Sequence, residues 1–345
     1  MDEKALVILP QKLLGWYETA ARDLPWRADR EPYHVWLSEI MLQQTRVEAV
    51  KPYYARFLSA LPTVEDLANA PYEQVQKLWE GLGYYSRARN LQKAAQVICT
   101  MYNGVFPRAY SQVRALPGIG DYTAGAICSI CYEMPTPAVD GNVLRVVARF
   151  LAMESCVDEP KVKKEVSESL QKVYPEGRCG VFTQSLMELG ATVCLPNGMP
   201  KCDACPLREN CRAYQQNDVS SYPVRKQKKA RRVEELTLFL LSSEEGIALR
   251  KRPATGLLAH LWEFPHVPGT LDLQQALQVV RDLGCEPVEV LSQREKGHIF
   301  THVEWKMRAF DLKVRSLENE FVWVSQERLR DEFALPTAFR QFLIE

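Results

Sequence analysis

The sequence predicts a multidomain chain: an all-α first part ending in a cysteine-rich loop, a basic connector, and a smaller α+β domain. Three observations carry this reading. Apolar residues follow helical spacing from Leu13 to about Ala213, four cysteines crowd into positions 194–211, and beyond Val233 the pattern changes to short apolar runs of strand length. With 345 residues, 46% hydrophobic and 25% charged, the chain has enough apolar surface for more than one core and is not a disordered one.

The helical part opens with Met1–Gln11, acidic at first and holding only the short apolar run Ala5–Leu9, too short for a secretory signal. No apolar run approaches the length of a membrane span, so a cytosolic protein without membrane contact is expected. Further on, Tyr33, Trp36, Leu37, Ile40, Gln44 and Val47 keep i, i+3, i+4 spacing, and Pro32 suits the first turn of their helix. Glu39 shares a face of that helix with Val35 and Gln43, beside the apolar stripe, where burial would raise its pKa. Without further context, a helical glutamate is usually a solvated one.

Leu116, Pro117, Gly118, Ile119 and Gly120, followed by Asp121–Gly125, form a hairpin-like motif. Its glycines permit a sharp turn, and the amides opening the next helix can bind a phosphate without reading sequence. An ordinary packing hairpin is the plainer alternative. Downstream, Asp140, Gly141 and Asn142 suit the start of another helix, with Asp140 as its N-cap.

Of the ten cysteines, six are scattered, and Cys128 and Cys131 lie in an apolar helical run, where core packing is expected rather than redox chemistry. The other four read Cys194-x7-Cys202-x2-Cys205-x5-Cys211. So compact a four-thiolate loop suits one [4Fe–4S] cluster; structural zinc, which more often uses two separated pairs or recruits histidine, is the alternative.

Net charge is zero, which does not advertise a nucleic-acid partner. The one anomaly is the segment 219–233, with six basic and no acidic residues, read as a linker between a first domain, 1–218, and a second, 234–345. In the second domain, strands are predicted over Leu236–Leu241, Gly246–Arg250, His302–Met307, Phe310–Val314 and Phe321–Val324, with a helix over Leu273–Leu283.

Taken together, these motifs resemble the helix-hairpin-helix DNA glycosylases that carry an iron–sulfur loop, the endonuclease III and MutY group, and most closely the MutY-type adenine DNA glycosylases. The family's usual cysteine spacing is x6, x2, x5, so the first gap here holds one residue more. The resemblance implies a partner, double-stranded DNA containing adenine opposite 8-oxoguanine or guanine, and a monomeric, monofunctional enzyme of base excision repair, nucleoid-associated in a bacterium. It implies Glu39 as the general acid that protonates the departing purine and Asp140 as the carboxylate stabilising the cationic sugar, with Tyr122 and Asn142 beside them. Lyase-competent relatives resemble L-P-G-x-G-x-K-T-A; this chain has Tyr122 at the lysine position, and a phenol cannot form the imine. The resemblance further assigns Arg22, Trp26, Arg27 and Gln184 to the adenine pocket, Gln44 and Tyr84 to insertion into the base stack, and Leu116, Gly118 and Gly120 to the DNA-binding hairpin.

Leu257–Pro265 resembles the entry to the catalytic loop of the Nudix fold, a domain that recognises 8-oxoguanine in this family. The stretch Gly269–Gly284 contains no glutamate to hold magnesium, so pyrophosphatase activity is not expected. Thr301 and His302 match the family's F-S-H loop, with threonine in place of serine and the hydroxyl retained. Two other readings stand beside this one: a pyrimidine-lesion glycosylase and lyase of the same superfamily, and a non-catalytic iron–sulfur DNA-binding or redox-sensing protein.

Overall fold

The computed structural model describes residues 1–227, 230–317 and 319–343. Its site-bearing helices, in chain order, are α1 (Ile8–Ala20), α2 (Pro32–Met41), α3 (Tyr72–Leu78), α4 (Tyr110–Ala115), α5 (Asp121–Tyr132), α6 (Gly141–Leu151) and α7 (Cys179–Thr192). Pro32 occupies the first turn of α2, where its missing N–H costs nothing. Among the described residues, no helix is long and apolar enough to cross a membrane.

The chain forms two compact units, Met1–Asn69 with Asn90–Gln227, and Ala70–Arg89 with the chain after Gln227. The linear division at 218 and 234 read from the sequence misses the second grouping. Its cause is a set of bonds that join α3 and the following turn to the C-terminal segment. The Gln76 amide donates to the His260 carbonyl at 3.3 Å, Lys77 Nζ to the Phe333 carbonyl at 3.1 Å, and the Leu335 amide to Glu80 Oε1 at 2.8 Å.

In the first unit, Leu9 and Leu13 of α1 join Val143, Val147 and Phe150 of α6 and Phe182, Leu186 and Leu189 of α7 in one apolar core. Two glycines let its helices approach. A Cβ on Gly125 of α5 would fall 2.3 Å from the Pro137 carbonyl oxygen, and one on Gly190 of α7 would fall 2.7 Å from Asn142 Cβ. Both contacts bear on the segment that delivers Asp140. Cys128 is fully buried in α5, as core packing predicts.

Among the described residues, the second unit holds a seven-stranded sheet and one longer helix, α8 (Leu273–Asp282). Its strands are β1 (Arg232–Ser243), β2 (Gly246–Lys251), β3 (Trp262–Glu263), β4 (His266–Pro268), β5 (Cys285–Ile299), β6 (Val303–Ser316) and β7 (Val322–Val324). The order is β3-β2-β1-β6-β5, with β4 paired to β1 and β7 to β2; β1 and β6 run parallel, and β5 and β6 antiparallel. Strand alternation sends Leu238 and Leu240 to one core and Phe239 and Leu241 to the other, the latter covered by Ala276 and Val280 of α8.

Two expectations are corrected by the structure, and one strand is additional. Arg232 and Val233, read as linker, begin β1, paired with Val303 and Glu304. The two strands predicted over His302–Met307 and Phe310–Val314 are one continuous β6. The long β5 is not expected from its sequence, because the residues it half-buries at every second position, Ser292, Arg294, Lys296 and His298, are polar and give no apolar alternation. Within the predicted linker, residues 228 and 229 lie outside the described residues.

Candidate active site and cysteine loop

Helix α2 carries Glu39 inward to 7% exposure, and the Tyr122 hydroxyl, in the first turn of α5, donates to Glu39 Oε2 at 2.6 Å. Burial pushes the Glu39 carboxyl up to about 7; the nearby Asp140 charge adds to the rise, while the Tyr122 hydrogen bond and Arg27 oppose it. Burial likewise drives the Tyr122 phenol well above its usual range, which keeps it a proton donor. The helix position that most often means solvent here means a protonated carboxyl near neutrality.

Asp140 caps α6. Its Oδ1 accepts from the Asn142 and Val143 amides at 2.9 and 2.8 Å, and its Oδ2 from Asn142 Nδ2 at 2.7 Å, so three N–H donors fix the carboxylate. The N-cap reading of Asp140 thus holds, and capping leaves the carboxylate in place for a role in the site. The grip continues inward, because Asn142 Oδ1 accepts from Arg145 Nη2 at 2.8 Å, and Arg145 Nε donates to the Cys194 carbonyl at 2.8 Å.

A second cluster forms where α1, α7 and the loop after α1 meet. Glu188, fully buried on α7, receives Arg22 through both carboxylate oxygens, at 2.6 and 3.0 Å, and Arg27 Nη2 at 2.7 Å. Burial alone would raise the Glu188 carboxyl, but the two arginines outweigh it and hold it low. The Tyr17 hydroxyl donates to Gln184 Oε1 at 2.7 Å, and the Arg27 guanidinium lies over the Tyr17 ring. Trp26 is buried edge-on against Tyr54. The structure thus places Arg22, Arg27 and Gln184 in one polar network, and the influence of Arg27 on Glu39 ties that network to the first cluster.

At the hairpin, Leu116 is buried at 3% and supports the turn from beneath, while Gly118 and Gly120 are exposed. Gly118 has φ 76°, and a Cβ there would strike Asn90. Arg114 clasps the turn, with Nε to Asp121 at 2.6 Å and Nη1 to the Ile119 carbonyl at 3.0 Å. Gln44 is exposed at φ 58°.

In the second unit, Tyr84 is 45% exposed with φ 48°, a left-handed conformation rare for an aromatic residue. Arg87 holds its turn by donating to the Leu82 and Gly83 carbonyls, each at 3.0 Å. The Tyr84 and Thr301 hydroxyls are hydrogen-bonded to each other on the wall of a cleft of about 850 Å³, which His302, exposed, and the packed rings of Phe300 and Trp305 also line.

Cys194, Cys202, Cys205 and Cys211 line one cavity, together with apolar side chains such as Val146, Phe150 and Leu189 and with Arg149, Lys201 and Arg208. The additional residue in the first gap is absorbed by a loop in which Gly198 has φ 70° and the Lys201 amide closes on the Val193 carbonyl at 2.9 Å. Burial pushes the Cys205 thiol up to about 12 and raises Cys202 and Cys211. Among the described residues, no three His, Cys, Asp or Glu side chains converge tightly enough to hold a single metal ion.

Sequence reasoning assigned no role to Tyr17, Glu188, Arg145 or Arg149. One signal was present: Arg145 and Arg149 stand four apart in an otherwise apolar helical run, where an arginine is buried only against acceptors.

Residues 37–176 match the family model described as HhH-GPD superfamily base excision DNA repair protein, and residues 237–345 match the NUDIX domain model. The adenine DNA glycosylase of Mus musculus is 37% identical, over 87% of this chain and 69% of its own length. That of Homo sapiens is 34% identical, over 95% of this chain and 72% of its own. Among solved structures, a thermostable thymine-DNA glycosylase superposes with TM-score 0.56 at 29% identity, covering 62% of this chain and 98% of that one. Endonuclease III bound non-covalently to DNA, at TM-score 0.54 and 24% identity over 63% of this chain and 98% of that one, shares the fold. Identity of this extent across both parts, together with both family matches, shows that the chain belongs to the adenine DNA glycosylase family of base excision repair.

Proposed function

We propose that this enzyme removes adenine paired with 8-oxoguanine, and with guanine, by hydrolysis of the N-glycosidic bond. The observation that carries the reading is a pair of unlike carboxyls in one site: Glu39, buried with its pKa at about 7, and Asp140, fixed by three N–H donors. A purine leaves a sugar readily only when protonated, and a carboxyl that keeps its proton near neutrality can supply it. As the C1′–N9 bond breaks, its electron pair leaves with the adenine, which carries the Glu39 proton; the cationic sugar develops beside Asp140. Water adds to C1′ and returns a proton to Glu39. Tyr122 offers no amine, so no covalent imine forms and the strand stays intact.

Adenine must first leave the stack, at a cost of a few kcal/mol. We assign Gln44 and Tyr84 to filling the gap, the Gly118–Gly120 turn over Leu116 to holding a phosphate, and Arg22, Trp26, Arg27 and Gln184 to the adenine pocket. Thr301 and His302 are assigned to the oxidised guanine. The four cysteines suit one [4Fe–4S] cluster, because all four line a single cavity beside the basic side chains of Arg149, Lys201 and Arg208, a setting that favours thiolates. That cluster would supply a thiolate-bound cross-link for the loop, with Cys194, Cys202, Cys205 and Cys211 holding it.

Incubation with a duplex bearing one adenine opposite 8-oxoguanine, with and without borohydride, tests the reaction type. Free adenine, an alkali-labile but uncut strand and no trapped adduct are expected. A borohydride-trapped protein–DNA adduct would contradict hydrolysis and point to the lyase reading.

A further inference from the structure

Arg149 takes no part in the chemistry above, yet its side chain joins two separate segments. Nη1 donates to Cys194 Sγ at 3.4 Å and to the Leu195 carbonyl at 2.8 Å, both in the cysteine loop. Nε donates to the carbonyls of Val219 at 3.2 Å and Tyr222 at 3.0 Å, at the start of the connector. The Arg149 carbonyl accepts from Cys211 Sγ at 3.4 Å, and the residue is only 5% exposed. Beyond Tyr222 the connector stays on the same unit. Val157 donates its amide to the Val224 carbonyl at 3.0 Å, and Asp158 receives Arg225 Nη1 at 3.2 Å and the Lys226 amide at 3.0 Å.

We infer that Arg149 is a positioning residue that couples the cysteine loop to the connector, so that residues 219–226 stay docked only while the loop keeps its closed form. A buried guanidinium needs acceptors for its whole planar fork, and half of the acceptors here belong to the loop. If the loop opens, the cation must find new partners, and its bonds to the connector go with the rearrangement. When Cys194 is a ligating thiolate, its bond from Nη1 becomes charge-assisted and the coupling tightens. Where it invokes a bound cluster, the inference rests on the cofactor proposed above.

Hydrogen exchange of the full-length protein tests this, read at the Val157 and Lys226 amides with α7 as the internal control and iron content measured in parallel. Arg149→Met is expected to speed exchange at both amides by about tenfold or more while α7 stays protected. Arg149→Lys, which keeps the charge but not the fork, makes the same comparison should Arg149→Met also expose α7. Removing iron from the wild type with a chelator should give the same acceleration with Arg149 in place. Unchanged exchange at Val157 and Lys226 in the variant that keeps α7 protected, or after iron removal, would overturn the coupling. Wild-type protein that carries no iron when purified would overturn the cofactor proposal alone, and the variants would then decide on Arg149.

Discussion

The Tyr122 hydroxyl donates to Glu39 Oε2 at 2.6 Å, so the residue that replaces a lysine nucleophile holds the proposed acid. With the Glu39 carboxyl at about 7, the single-turnover rate of adenine release should be level at lower pH and fall as pH rises through about 7. The Tyr122 bond lowers that value, so Tyr122→Phe should move the fall to higher pH. A pH–rate profile of both proteins on one duplex checks this; an alkaline limb that does not move would remove Tyr122 from control of Glu39.

The same burial implies a cost in stability. Because the folded carboxyl titrates at about 7, above its usual 4.5, ionising it penalises the fold, and stability is lost as pH rises from about 4.5 to about 7. Glu39→Gln should therefore be more stabilising at pH 8 than at pH 5, by a difference on the order of 3 kcal/mol. Thermal unfolding at the two pH values measures it. A substitution that destabilises equally at both would show that Glu39 is not strained by its charge.

Asn142 serves two neighbours at once, donating to Asp140 Oδ2 and accepting from Arg145. Asn142→Ala should leave Asp140 two amide donors and strip Arg145 of an acceptor. We expect adenine release to slow by about ten- to a hundredfold, with duplex affinity little changed. Single-turnover rates and binding isotherms separate the effects, and equal losses in both would mean a general loss of fold at α6.

Much of this site was legible because its motifs are local. Cysteine spacing, the glycine hairpin and the Asp140–Asn142 helix start each lie within a short stretch of chain; the cysteines restrict the chemistry by themselves, whereas the hairpin and the helix start do so only in combination with the resemblance. Glu39 was legible only through resemblance, since its place beside the apolar stripe does not say whether the side chain turns inward. Glu188 and Tyr17 stayed hidden because their meaning lies in partners 161 and 167 residues away. The edge strand β5 went unseen for the opposite reason: its half-buried positions Ser292, Arg294, Lys296 and His298 alternate with exposed ones, but they are polar, so the burial pattern has no hydrophobic counterpart in the sequence. The grouping of Ala70–Arg89 with the C-terminal part depends on side-chain to backbone bonds that composition cannot reveal.

Thr301 and Tyr84 share a hydrogen bond through their hydroxyls. Thr301→Ala should reduce the preference for adenine opposite 8-oxoguanine over adenine opposite guanine without abolishing excision, and Tyr84→Phe, which keeps the ring, should reduce it in the same direction. Competition between the two duplexes in one reaction reads the preference. An unchanged ratio in both variants would remove this hydroxyl pair from lesion recognition.

The central claim is tested most directly by single-turnover adenine release from a duplex with one adenine opposite 8-oxoguanine, comparing wild type, Glu39→Gln and Asp140→Asn. Release by the wild type and near-complete loss in both variants, with duplex binding retained, is the predicted result. Undiminished release by either variant, or none by the wild type, would contradict the account.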